Sequence, residues 1–248
     1  MHLAATRAQS DDRISPNSTP PSSSGDPIFA GGIRAHLHFA RFRWLRSRLR
    51  TLAPGVRDVV ELGCSDAKTL DFMDDPPARF VGYDANWGGG LDRARQRWAD
   101  HPKYEFRDCT CANDIQLGES FDVAISMETL EHIPPETLDQ YLARLHGVTR
   151  HYLFVTVPNE KGLIFAAKYL VKSIRGWSPE PYTLREFMGA TLGRMTWVRR
   201  GEHKGFDYTA LRRTLGRNFE VLSVESIPFG WLPQWLSFTV GIVAKPKH

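Results

Sequence analysis

The chain has 248 residues, 42% of them hydrophobic and 24% charged, with a formal net charge of +4. Such a chain can build one domain with a proper core, and its balance excludes a disordered or fibrous protein. No apolar run approaches the roughly 18–20 residues of a membrane span, and the small positive excess permits an anionic partner without requiring one.

Residues 1–28 are rich in Ser, Pro, Asp and Thr, as in Ser15-Pro16-Asn17-Ser18-Thr19-Pro20-Pro21. They cannot bury enough apolar surface to offset the entropy of ordering, so a disordered tail is expected, followed by one domain over 29–248. No apolar stretch of the signal-peptide kind is visible near the start. Cys64, Cys109 and Cys111 make no disulfide framework, and the lone C-x-C has no second pair for zinc, which points to a reduced, cytoplasmic compartment.

Residues 33–52 interleave Phe39, Phe42, Trp44, Leu45 and Leu49 with Arg41, Arg43, Arg46, Arg48 and Arg50, with no acid between them. This predicts a strongly basic helix, either packed on the body with a solvated Arg face or turned to phosphates or a membrane surface. Asp58-Val59-Val60-Glu61-Leu62-Gly63 then reads as a buried parallel strand ending in a tight turn, with a short helix from Ala67 to Met73. A second strand runs from Arg79 to Asp84. Its terminal acid lies about 20 residues after Gly63, where α/β nucleotide-binding folds place a ribose-binding carboxylate. A helix over Leu91–Ala99, a strand ending at Asp108-Cys109, and a strand Phe121–Ser126 running into Met127-Glu128-Thr129-Leu130-Glu131-His132 follow. Pro135 opens a helix, and His151–Val157 is a fifth strand. Residues 160–200 read as an insertion or lid on the substrate side. A helix through Leu215 and two strands joined by the aromatic loop Pro228-Phe229-Gly230-Trp231-Leu232-Pro233 close the chain as an antiparallel pair.

These marks, in this order, resemble the class I S-adenosylmethionine-dependent methyltransferases, in the branch of the ubiquinone-biosynthesis and type 11 enzymes, over roughly residues 55–245. The resemblance implies an α/β, Rossmann-like, seven-stranded, mostly parallel sheet with helices on both faces and its last strand antiparallel. It implies S-adenosylmethionine as cofactor, held by Glu61, Gly63, Ser65, Asp84, Ala85, Asp108, Cys109 and Met127. In that scheme Gly63 faces the methionine part, Asp84 the ribose hydroxyls, and Asp108 the adenine amino group with the Cys109 N–H on the ring. The usual turn is Gly-x-Gly-x-Gly, whereas this chain has Ser65 and Ala67 at its second and third positions. Ala67 fits a helical backbone, and Ser65 in a left-handed one would cost about 1 kcal/mol.

Methyl transfer needs alignment and, for some acceptors, removal of a proton, for which His132 and His203 are the candidate catalytic groups. Glu128, Glu131, His132 and His203 also resemble the divalent-metal set of small-RNA 3′-terminal 2′-O-methyltransferases. The reading is a methyltransferase acting on an O or N nucleophile of a small or lipid-linked acceptor. An RNA 2′-O-methyltransferase and a non-catalytic scaffold are the alternatives. No RNA-binding module is visible, and nucleic acid is not expected as a partner. The basic helix 33–52 and the stretch 160–177 would hold the protein peripherally at the anionic inner face of a membrane.

Overall fold

A computed structural model describes residues 33–174, 181–201 and 204–248. The expected tail over 1–28 and His203 lie outside the described residues. Seven strands, β1 (Asp58–Leu62), β2 (Arg79–Asp84), β3 (Tyr104–Asp108), β4 (Phe121–Met127), β5 (Thr149–Pro158), β6 (Phe219–Ile227) and β7 (Thr239–Pro246), form one sheet in the order β3-β2-β1-β4-β5-β7-β6. The five strands β1 to β5 are parallel, and β7 runs antiparallel to both β5 and β6. The expected fold is therefore the one found. Its strands read as near-continuous apolar runs because both faces are covered.

Alternation along each strand sends its side chains to two cores. Val60, Ala124, Val155 and Ile242 pack under α3 (Pro135–Val148) and α6 (Tyr208–Asn218). Val59, Val123, Ile125 and Val243 pack under α1 (Ile33–Leu52) and α2 (Gly90–Arg97). The same alternation puts Glu61, two residues after Val59, on the α1 side at the end of β1. The region 160–200 holds α4 (Leu163–Ile174), α5 (Leu184–Thr191) and a 3₁₀ turn at Met195–Trp197.

One local expectation changes, and one pair of alternatives resolves to the packed helix. The helix after β1 is only a 3₁₀ turn over Lys68–Phe72, because Ala67 is left-handed and Met73 is already extended ahead of the two prolines. The basic helix α1 is a packed helix. Phe42, Leu45 and Leu49 are buried, and most of its arginines meet acids of the body rather than an open face. Arg46 and Arg50 pair with Asp74, and Arg48 lies 3.1 Å from Glu225. Glu225 also accepts the Trp44 indole N–H at 2.8 Å.

Trp44 reaches β7 where no side chain stands in its way. A Cβ on Gly241 would lie 2.5 Å from the indole ring. Gly241→Ala should therefore displace α1 and lower stability by about 1–3 kcal/mol, the usual cost of overpacking. Urea denaturation checks this, and an unchanged midpoint would mean that α1 is not seated through Trp44.

Candidate functional site

The carboxyl ends of β1, β2 and β4 open on a cavity of about 390 Å³. Its wall begins at the turn after β1. The Gly63 and Cys64 N–H groups both donate to the Tyr83 carbonyl at the end of β2, at 2.7 and 3.2 Å. Ser65 (φ 46°) and Ala67 (φ 55°) are both left-handed, so the turn keeps the shape its missing glycines would have eased. The expectation that Ala67 is helical is thus corrected: its N–H closes a tight turn on the Cys64 carbonyl at 2.8 Å. Each such residue costs of the order of 1–2 kcal/mol. Gly63 cannot be replaced so readily, because a Cβ there would sit 1.9 Å from the Thr129 hydroxyl.

Asp84 fastens this turn. One carboxylate oxygen accepts the Ser65 N–H at 2.9 Å and the other accepts the Asn86 N–H at 2.7 Å. Trp87 stands beside the cavity mouth, its ring edge-on to His132 at 6.5 Å.

The floor is acidic. Glu61 is buried at the end of β1, with one oxygen accepting from the Thr69 hydroxyl at 2.6 Å and the other, Oε2, without a partner. Burial raises its carboxyl pKa to about 8. Glu128, which is left-handed at φ 52°, leaves Oε1 buried and unpaired. Glu131 is 2% exposed and lies behind the cavity wall, also with one orphan oxygen. Burial raises both of their pKa values, and for Glu131 the nearby Glu128 carboxylate adds to it. Arg41 from α1 reaches into this group, 4.0 Å from Glu128. Burial pushes its guanidinium pKa down, while Glu128, Glu131 and Glu61 pull it up.

All but one of the residues expected at the cofactor line the cavity: Glu61, Gly63, Ser65, Asp84, Ala85, Cys109 and Met127 do. Asp108 does not. Its carboxylate points to solvent and pairs with Arg95 at 2.7 Å. The Cys109 N–H is likewise already given to the Asp84 carbonyl at 2.9 Å. His132 lines the cavity and lies 4.0 Å from Glu131. Among the described residues no group of three or more His, Cys, Asp or Glu is arranged to hold an ion, and Arg41 lies 4.0 Å from Glu128. His203, the fourth member of the expected metal set, lies outside the described residues. Sequence reasoning missed Arg41, His38 and Thr129. They come from segments far from the strand ends in sequence or carry no spacing of their own, and only the fold brings them in.

A family model described as a methyltransferase domain matches residues 59–151, from β1 into β5. No curated protein matches the sequence. Solved structures match most of the chain. A S-adenosylmethionine-dependent methyltransferase from Clostridium acetobutylicum is 10% identical over 89% of this chain and 97% of that one, with a TM-score of 0.59. Magnesium protoporphyrin IX methyltransferase from Synechocystis, with bound SAH, is 16% identical over 89% and 91%, with a TM-score of 0.57. The methyltransferase domain of bacterial CtHen1 is 17% identical over 84% and 99%, with a TM-score of 0.56. The domain match makes residues 59–151 similar to a methyltransferase domain, and the likeness to the solved structures is one of fold. The matched segment holds Gly63, Asp84, Met127 and His132, so the cavity belongs to that domain.

Glu61 makes stability depend on pH. Its folded pKa of about 8 lies above the ordinary 4.5, so the folded chain keeps a proton that the unfolded chain gives up between those values. Stability contributed by this group should then fall as pH rises from about 4.5 to about 8, at most by about 1.4 kcal/mol per pH unit. Denaturation curves across that range should flatten in Glu61→Gln. An identical pH slope in the two proteins would show that Glu61 is ionised in both states.

Proposed function

We propose that the cavity holds S-adenosylmethionine and that the chain methylates an O or N nucleophile of a small or lipid-linked acceptor, as an enzyme of the type 11, ubiquinone-biosynthesis-like branch. The carrying observation is the pair of orphan carboxylate oxygens, Glu61 Oε2 and Glu128 Oε1, buried at the cavity floor. Buried acceptors call for donors or positive charge. A ligand with a sulfonium, an ammonium group and ribose hydroxyls brings both, so these residues fit it. The SAH bound in the Synechocystis neighbour supports the same choice.

The cofactor supplies an electrophilic methyl carbon; the chain supplies position and proton traffic. Each Asp84 oxygen holds one backbone N–H and keeps a lone pair, enough to accept from ribose hydroxyls. Gly63, packed against Thr129, borders the cavity with Ser65 and Ala85. Met127 ends β4 against the cavity, and Cys109 contributes its side-chain surface, since its N–H is engaged. His132, at the mouth beside Trp87, would take a proton from an acceptor hydroxyl or amine, with His203 as a second candidate from sequence. Against the RNA alternative, the arginines of α1 that would follow a phosphate chain are largely spent on Asp74, Glu225 and Glu128. Three free thiols fit a reduced, cytoplasmic setting.

Titration calorimetry with S-adenosylhomocysteine tests the cofactor. Asp84→Ala should weaken binding by about 1–3 kcal/mol, since hydroxyls lose a charged acceptor and the Ser65 turn loses its fastening. No binding by the unaltered protein would favour the scaffold reading. His132→Ala should lower turnover about 10²–10⁴-fold with cofactor affinity intact; unchanged turnover would remove His132 from the proton path.

A further inference from the structure

A second feature stands apart from the cavity chemistry. At the carboxyl end of β5, three segments are pinned together. The Gly162 N–H donates to the Ala190 carbonyl of α5 at 2.9 Å. Gly162 also packs so closely on Trp235 that a Cβ would lie 2.7 Å from that residue's carbonyl oxygen. The Asn159 amide donates to the Gln234 and Ser237 carbonyls at 2.9 and 3.0 Å. The inner side of this cluster is closed by rings, with Phe165 against Tyr182 at 4.9 Å and against Phe187 at 5.8 Å.

Its outer side is not closed. Trp231 is 80% exposed, and Phe229 and Trp235 beside it are about half exposed. Leu184 is 77% exposed on α5, where Met188 also faces water, as do Leu192 just after it and Leu163 and Leu170 on α4. So much large apolar surface on one edge marks an interaction site. Basic residues outnumber acids there, and Glu160 and Asp207 at its border are paired with Lys168 and Lys161. Across 161–174, 181–201 and 228–238 the only acid is Glu186, and it is buried and held by Thr183 and Lys204. Arg185, Arg194 and Arg199 are exposed, the first two lying over the Trp197 ring.

We propose that this edge, formed by α4, α5 and the loop 228–238, docks on an anionic lipid bilayer surface. Tryptophan and phenylalanine at a loop tip suit the boundary between headgroups and acyl chains, the leucines enter it, and the guanidinium groups meet anionic headgroups. A second copy of the chain suits the face less well, because a two-fold contact would set its arginines against each other. The leucines offer nothing to a nucleic-acid backbone. This places the contact on α4 and α5, where Lys161 and Lys168 are already paired with Asp207 and Glu160, and away from α1. The face lies at the same end of the sheet as the cavity, and Arg200 ties the segment after α5 to the Glu131 carbonyl at 2.7 Å. A membrane-held acceptor would thus be presented to the cavity; that last step rests on the lipid-linked acceptor proposed above, whereas docking itself does not.

Flotation of the full chain with vesicles of phosphatidylcholine, with and without phosphatidylglycerol, tests the proposal. Binding should appear with the anionic vesicles and weaken with salt. It should fall about tenfold or more in Trp231→Glu and Leu192→Glu, because each puts a carboxylate into the contact. Both sites are solvent-exposed, and the unfolding midpoint of each variant reports whether it folds. Arg46→Gln on α1 should bind as the unaltered protein does. The proposal fails if no vesicle is bound at low salt, if the Arg46 variant alone loses binding, or if the Trp231 and Leu192 variants only break a dimer. Cofactor titration of the same samples reads the methyltransferase site separately, so either result can fail without the other.

Discussion

The site depends on carboxyl groups whose buried oxygens are not all paired. Glu61 and Glu131 are buried and Glu128 is partly buried, at or just past the ends of β1 and β4, and the Arg41 guanidinium lies 4.0 Å from Glu128. Burying charge is costly unless it is paired, and a lone pair of opposite charges rarely repays its desolvation. The chain's response is visible in the shifts. The acids are pushed towards their neutral forms and the guanidinium pKa is pushed down by the same burial. One carboxylate oxygen on each acid and the Arg41 Nε remain unpaired. A floor left in that condition is matched to a ligand that carries its own cation and its own hydrogen-bond donors.

The turn above that floor is held in a costly shape from outside. Ser65 and Ala67 sit in left-handed backbone, a conformation that persists only where surrounding structure over-determines it. The determinants are the Tyr83 carbonyl, which takes two N–H groups, and the Asp84 carboxylate, which takes a third. Asp84 therefore acts twice, as the fastening of the turn and as an acceptor facing the cavity. Glycines would remove the strain, but they would also leave the turn less committed before a ligand arrives. A strained turn fixed by β2 is preorganised, and less ordering is then charged to binding.

The fold was largely legible in the sequence because β-strands buried on both faces leave continuous apolar runs, and each of the runs read as a strand is one. The cavity wall was legible for a related reason. Glu61, Gly63, Asp84 and Met127 terminate strands, and strand ends in this architecture face one cleft. Side chains whose roles depend on a partner distant in sequence were not legible. Asp108 ends β3 as expected, yet Arg95 from α2 draws its carboxylate away from the cavity. Glu131 and Glu128 have the spacing of a ligand set, and only α1, more than eighty residues earlier, shows that an arginine occupies their field. The basic character of α1 was evident, but its acids at Asp74 and Glu225 come from two other elements.

The same geometry bears on which nucleotide-like ligand the cavity admits. A pyrophosphate needs a ring of backbone N–H groups and a positive field at the turn after β1. Here the Gly63, Cys64, Ser65 and Ala67 N–H groups are all consumed by protein acceptors, at Tyr83, Asp84 and Cys64. Glu61, Asp66 and Asp84 line the cavity beside that turn, together with Lys68 and Arg93. A ligand joined through a sulfonium has no phosphate charge to place, and its hydroxyls and ammonium group meet acceptors rather than donors. The turn that looks deficient in glycine for a dinucleotide is therefore consistent with the acids around it, because both features suit a cationic ligand.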